Sequence, residues 1–236
     1  MSRKSGFAGN RLVFTAASEQ ELPLDWLVSS RVLVARLRAF EAGILKSRAA
    51  RDLQSLVLIT GVGPSRAAEA AHRLLRVPGL FESDGEGQVI NIGTAAALDP
   101  ATTALGDWVV PELVNDLAGS FFHLPIPPVT LECGTTPKTR IGGRLLSVSR
   151  PVFGEIPNSW RGNHFVDMEA CAQAAVFVGA GIRFSAVKGI TDYAGLDARE
   201  EFASNLDRVR ESMKGVFGRF LSEPSRACSG TVQGLS

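Results

Sequence analysis

The chain has 236 residues, 45% hydrophobic and 21% charged, which gives apolar material for a sizeable core and leads to the expectation of one domain over residues 1–236. With 25 basic and 24 acidic side chains the formal net charge is +1, so no global field recruits nucleic acid or an anionic membrane surface, and a small neutral or zwitterionic ligand fits better. The apolar stretches fall well short of the roughly 20 residues that span a bilayer; Asn10 and Arg11 break a signal-like start, and Cys133, Cys171 and Cys228 lack metal-site spacing. The expectation is a soluble, reduced, cytoplasmic protein that needs no metal or other cofactor.

Leu12-Val13-Phe14 is the first run of strand length. Residues 31 to 50 are ambiguous, because VLVARLRAF suits a strand while ARLRAFEAGILKSRAARDL has helical spacing. Leu56 to Ile59 is a second strand-length run, and Ser65 to Arg76 follows as a helix with Ser65 as its cap and Ala67, Ala70, Ala71, Leu74 and Leu75 on one stripe. Val89-Ile90, Trp108-Val109-Val110 and Leu145-Leu146 are further strand candidates. Asp167 to Val178 is small and apolar nearly all round, as a buried helix is, and Gly179 and Gly181 end it. After the strand Phe184 to Val187, Phe202, Leu206, Val209, Met213, Val216 and Phe220 recur every three to four residues and mark a helix from Arg199 to about Leu221. Beyond about residue 224 the sequence is small and polar and reads as a disordered tail. Strands alternating with helices imply an α/β sandwich with a parallel or mixed sheet.

Ligands of such sheets sit at the carboxyl ends of strands, and four such points stand out. Thr60-Gly61-Val62-Gly63-Pro64 opens a helix with two glycines; it lacks the Walker lysine and suits either a ligand or a plain turn. Asn91 to Leu98 is a run of small residues suited to a flat ligand or to tight packing. Asp167-Met168-Glu169 puts two carboxylates where an apolar helix begins; a dipole partner explains Asp167, whereas Glu169 among small apolar residues suggests a function. Asp192 follows a buried strand, where desolvation raises a carboxyl pKa and suits it to donate a proton.

In this order TGVGP, INIGTAAAL, GDWVV, VDMEA and VKGITDYAG resemble the purine nucleoside phosphorylase and nucleosidase superfamily, most of all 5'-methylthioadenosine/S-adenosylhomocysteine nucleosidases and related bacterial nucleosidases. The likeness spans about residues 11 to 221, and DMEA followed by TD carries most of it. It implies a three-layer α/β/α sandwich with a mixed, partly barrel-like sheet, a small-molecule nucleoside substrate and a homodimer. Carried over residue by residue, it makes Asp192 the acid that protonates the departing purine, with Thr191 where a serine is usual. Glu169 accepts from the sugar hydroxyls, Met168 lines the sugar face, and Ala96 belongs to the small-residue wall. Glu21, or Glu19 if the alignment slips, is the base for water, and either the Val152 backbone or the Phe153 ring meets the purine.

The likeness also bears on the nucleophile. Phosphorylases of this superfamily carry an arginine before their equivalent of Gly93-Thr94, and here the corresponding position is Asn91, so water is favoured over phosphate. Phosphorolysis and silent nucleoside binding are the alternatives. Ala96-Ala97 replace a glycine pair and Gly195 replaces a second acid, so the implied substrates range from methylthioadenosine and adenosylhomocysteine to futalosine-like nucleosides. The histidines (His72, His123, His164) and tryptophans (Trp26, Trp108, Trp160) read as surface or packing residues.

Overall fold

Apolar runs without polar alternation need cover on both faces, and the computed structural model provides it. It describes residues 12–30, 32–36, 55–77, 80–81, 87–116, 124–126 and 139–222. In chain order these contain β1 (Leu12–Ala16), α1 (Leu24–Ser29), β2 (Leu33–Arg36), β3 (Ser55–Ile59), α2 (Pro64–Leu75), β4 (Gln88–Ala97), β5 (Trp108–Val110), β6 (Leu113–Asp116) and β7 (Leu124–Pro125). There follow β8 (Thr139–Ile141), β9 (Arg144–Ser147), β10 (Phe165–Asp167), α3 (Ala170–Gly179), β11 (Arg183–Asp192) and α4 (Ala198–Ser222).

All the strands join one mixed sheet. β2, β3, β1, β4 and β11 run parallel as successive neighbours, and β5 closes antiparallel on β11. β4 also branches the sheet: its last residues, Ala96 and Ala97, pair antiparallel with Val166 and Phe165 of β10, which leads on to β9, β6 and β7. That branch curls the sheet around the end of β4.

Alternate residues of the central strands face opposite helical layers. Val13, Val89, Phe184 and Ala186 pack under α2 and α3, with Phe177 of α3 stacked on Phe184 at 6.0 Å. Leu12, Phe14, Ile90, Ile92 and Val187 pack under α1 and α4, where the Phe14 ring meets Phe217 and Phe220 edge-on at 4.9 and 5.5 Å. Each such fully buried Val, Leu, Ile or Phe side chain is worth about 1.5–3 kcal/mol of transfer free energy.

Several expected boundaries move. Ser65 is not a cap: Gly63 holds that position at φ 97°, and Pro64 occupies the first helical turn, where its missing N–H costs nothing. The helix expected from Asp167 begins at Ala170, because Asp167 ends β10 and Glu169 is the N-cap residue. The small-residue run after Asn91 is the second half of β4, held as strand by β11 and β10 despite its low intrinsic preference. β11 runs on to Asp192, with a register shift between Ile190 and Asp192. Of the ambiguous segment after residue 31, Leu33–Arg36 is a strand, and 37–50 lie outside the described residues, as do His123 and the tail from 224.

Candidate active site

The carboxyl ends of β1, β4, β10 and β11 surround a cavity of about 310 Å³, within the range of small-molecule sites. Glu21, Ala96, Val152, Phe153, Met168, Glu169, Thr191 and Asp192 all line it. The structure therefore brings together side chains from five separate stretches of sequence. Glu19 lies elsewhere: its carboxylate takes two hydrogen bonds from the Arg36 guanidinium, at 2.7 and 2.8 Å, beside a second cavity. That ion pair holds Glu19 below the usual carboxylate range.

Glu21 sits in a 3-10 turn that follows β1 and reaches across β4. Its Oε1 accepts from Thr94 Oγ1 at 2.7 Å, and its Oε2 is buried with no hydrogen-bond partner among the described residues. A Cβ at Gly93 would stand 3.2 Å from Glu21 Oε2 and would push this carboxylate aside by a few tenths of an ångström.

Glu169 is anchored by a residue far from it in sequence. The Gly63 N–H at the start of α2 donates to its Oε1 at 2.8 Å, which assigns the TGVGP turn a task the sequence did not reveal. Burial, reinforced by the neighbouring Asp167, raises the Glu169 pKa to about 7, against the opposing pull of Lys188 and the Gly63 N–H.

Beneath both carboxylates lies Lys188, the residue sequence reasoning missed. It is 2% exposed and pairs with Asp167 Oδ2 at 2.8 Å. Burial alone would lower its pKa, but Asp167, Glu169 and Glu21 together raise it, so the ammonium stays charged. Asp167 is in turn saturated: Ser147 Oγ donates to its Oδ1 at 2.5 Å and the Ala170 N–H to its Oδ2 at 3.0 Å. Asp167 is thus more than a helix-dipole partner. A lysine inside the apolar run Phe184–Ile190 was the available signal, since lysine is almost never buried unpaired.

Asp192 follows the irregularity in β11, a device that re-aims a side chain at a strand end. Its Oδ1 accepts from the Ala194 N–H at 3.1 Å, and its Oδ2 from Thr191 Oγ1 at 2.9 Å. Ala194 adopts φ 54°, a left-handed conformation that costs a non-glycine residue about 1 kcal/mol and aims its N–H at the carboxylate. Burial raises the Asp192 pKa, outweighing the two hydrogen bonds that lower it; Glu201 adds to the rise. Thr191 Oγ1 also lies 3.4 Å from the Ala95 carbonyl, so its hydroxyl can turn between that oxygen and the acid.

Asn91 does not reach the cavity. Its Nδ2 donates to Thr15 Oγ1 and Gln173 Oε1 at 3.4 and 3.3 Å, in a buried polar cluster between the sheet and α3. Trp108 is buried against α4 with Nε1 donating to Ser212 Oγ, Trp160 is buried, His72 is exposed, and His164 Nδ1 accepts from the Arg144 N–H, all away from the cavity.

No protein-family model matches the sequence, and no curated protein matches it. Solved structures do. A Helicobacter pylori 5'-methylthioadenosine/S-adenosylhomocysteine nucleosidase superposes over 91% of this chain and 99% of its own, with TM-score 0.63 and 13% identity. Futalosine hydrolase of the same organism covers 91% and 98% at TM-score 0.63 and 14% identity. S-adenosylhomocysteine nucleosidase from Streptococcus pyogenes covers 91% and 98% at TM-score 0.60 and 17% identity. Across nearly the whole length of each partner the likeness is one of fold, and the chain has the nucleoside phosphorylase/nucleosidase fold.

Proposed function

We propose that this protein hydrolyses the N-glycosidic bond of a purine nucleoside of the methylthioadenosine/adenosylhomocysteine or futalosine kind and releases the free base. The observation that carries this reading is the convergence of Glu21, Glu169 and Asp192 on one cavity, with Glu21 Oε2 left without a partner among the described residues. Breaking the C1'–N9 bond leaves positive charge on the sugar and negative charge on the base, and the three carboxyl groups divide that work. Asp192, whose pKa burial raises, acts as the acid and gives its proton to the purine N7 as the bond's electrons move to the base. The Thr191 hydroxyl then turns from the Ala95 carbonyl to donate to the new carboxylate. Glu169 accepts from the ribose hydroxyls, which orients the ring and sets negative potential beside the oxocarbenium. Glu21 Oε2 takes a proton from the water whose oxygen attacks C1'.

Water is the favoured nucleophile on electrostatic grounds. Phosphate would have to lie beside the acidic side chains of Glu21 and Glu169, and among the described residues lining the cavity the only cation is Arg199. In this reading the chain is a single nucleosidase-like domain that works in the cytoplasm, and its resemblance implies a homodimer. Incubation with methylthioadenosine, adenosylhomocysteine, inosine and futalosine, with and without phosphate, tests the proposal. Free base and ribose sugar without phosphate are expected. Base release only with phosphate, as a sugar 1-phosphate, overturns hydrolysis; release under neither condition leaves a silent binding protein.

A further inference from the structure

The cavity's charges are unevenly placed. The carboxyl groups of Glu21, Asp167, Glu169 and Asp192 line it, Arg199 is the one cation among its described lining residues, and Phe202 and Val62 belong to the same lining. Arg199 is exposed and makes no hydrogen bond or ion pair with any described residue. It is the second residue of α4, where a cation opposes the positive end of the helix dipole. The positions that would supply an intrahelical partner hold Phe202 and Ala203, and the nearby Glu201 is occupied, its Oε2 accepting from the Tyr193 N–H. Elsewhere on the same helix Arg210 pairs with Asp207 and Lys214 with Glu211, while Arg208, which does not line the cavity, is without a partner among the described residues as Arg199 is. An arginine with no partner among the described residues, placed against its helix dipole and lining a ligand cavity, breaks a local rule in the way functional residues do.

We propose that Arg199 reads an anionic group, a carboxylate or a phosphate monoester, on the 5' end of the nucleoside and so favours acidic nucleosides over neutral ones. This rests on the nucleosidase reading above. With the base at Asp192, the sugar hydroxyls at Glu169 and water at Glu21, the 5' carbon is the sugar position left to carry a substituent outward. A neutral ribosyl purine enters the carboxylate-lined depth; its charged tail stays where the guanidinium can form paired hydrogen bonds to it.

The test compares three probes: 5'-methylthioadenosine, its neutral 5' group replaced by carboxymethylthio, and adenosine 5'-monophosphate. Affinity is read by calorimetry and adenine release by absorbance, for the unaltered protein, Arg199→Gln and Arg199→Lys. The carboxymethylthio probe or the monophosphate is expected to bind about tenfold tighter than methylthioadenosine. Arg199→Gln should abolish that preference while leaving methylthioadenosine unchanged, Arg199→Lys should restore part of it, and added salt should weaken it. The probe that shows the preference identifies the anion as carboxylate or phosphate. Equal affinity for all three probes, or an equal loss for neutral and anionic probes in Arg199→Gln, overturns the inference. An anion preference without adenine release refutes the hydrolase and leaves Arg199 in its role; adenine release without any preference does the reverse.

Discussion

The two faces of the central strands are built from the same backbone and carry different chemistry. Towards α1 and α4 the strands present Leu12, Phe14, Ile90, Ile92 and Val187 to an apolar layer. Towards α2 and α3 the alternate positions begin equally apolar, with Val13, Val89 and Phe184, and then turn polar as the strands advance: Thr15, Asn91 and Lys188. Thr15 Oγ1 and Asn91 Nδ2 both donate to Gln173 Oε1 of α3, and Lys188 pairs with Asp167. One face is a scaffold, and the other spends stability on a buried charge and a polar cluster placed under the cavity. Substitutions on the two faces should therefore separate folding from activity.

The largest separation is expected at the cavity. Asp192→Asn or Glu21→Gln should lower kcat by about 100- to 10,000-fold with substrate binding retained, read as base release against calorimetric affinity. Normal turnover in Asp192→Asn would remove that residue from the mechanism. Next comes the buried charge. Lys188→Met leaves Asp167 buried without its cation and should cost about 3–5 kcal/mol in denaturant unfolding. Adding Asp167→Asn should recover much of that stability without recovering kcat/KM, because the cation behind Glu21 and Glu169 stays absent. Recovery of both would make the pair a purely structural feature.

Two glycines sharpen the same contrast. A Cβ at Gly189 would stand 2.3 Å from Val209 Cγ1 of α4, whereas one at Gly93 meets Glu21 Oε2 at 3.2 Å. Gly189→Ala should destabilise by about 1–3 kcal/mol through overpacking with little change in kcat. Gly93→Ala should leave the unfolding midpoint nearly unchanged and lower kcat by up to about 100-fold, because the displaced group is the proposed base. The reverse pattern would mean that the scaffold and functional faces have been assigned the wrong way round.

What the sequence revealed follows the range of the forces involved. Asp192 and Glu169 were legible because a carboxylate at the edge of an apolar run is costly wherever the rest of the chain goes. The choice between Glu19 and Glu21 was not, since they stand two residues apart and the deciding contact comes from Arg36 on β2. The role of Gly63 was hidden for a similar reason: its N–H serves a carboxylate 106 residues away. The second half of β4 read as packing or a ligand surface, and strand pairing overrode the weak preference of its small residues. Lys188 was legible in principle, as a cation inside an apolar strand, and went unread.

The smallest effect concerns pH, and it tests the polar face through Glu169. Burial raises this carboxyl to about 7, so in the free protein the group is protonated over a range where an unfolded chain has already ionised it. The folded state therefore binds more protons than the unfolded one between about pH 4.5 and 7, and this group's contribution to stability falls as pH rises through that window. Accepting from the ribose hydroxyls favours the ionised form, which leads to the opposite trend in catalysis: kcat/KM should climb about tenfold per unit below pH 7 and level off above it. Glu169→Gln should remove both slopes, lowering kcat/KM at neutral pH while leaving a profile flat on its acid side. A rising limb that survives in Glu169→Gln would place the titration on another group, and the carboxylate anchored by Gly63 would then be held there for structure alone.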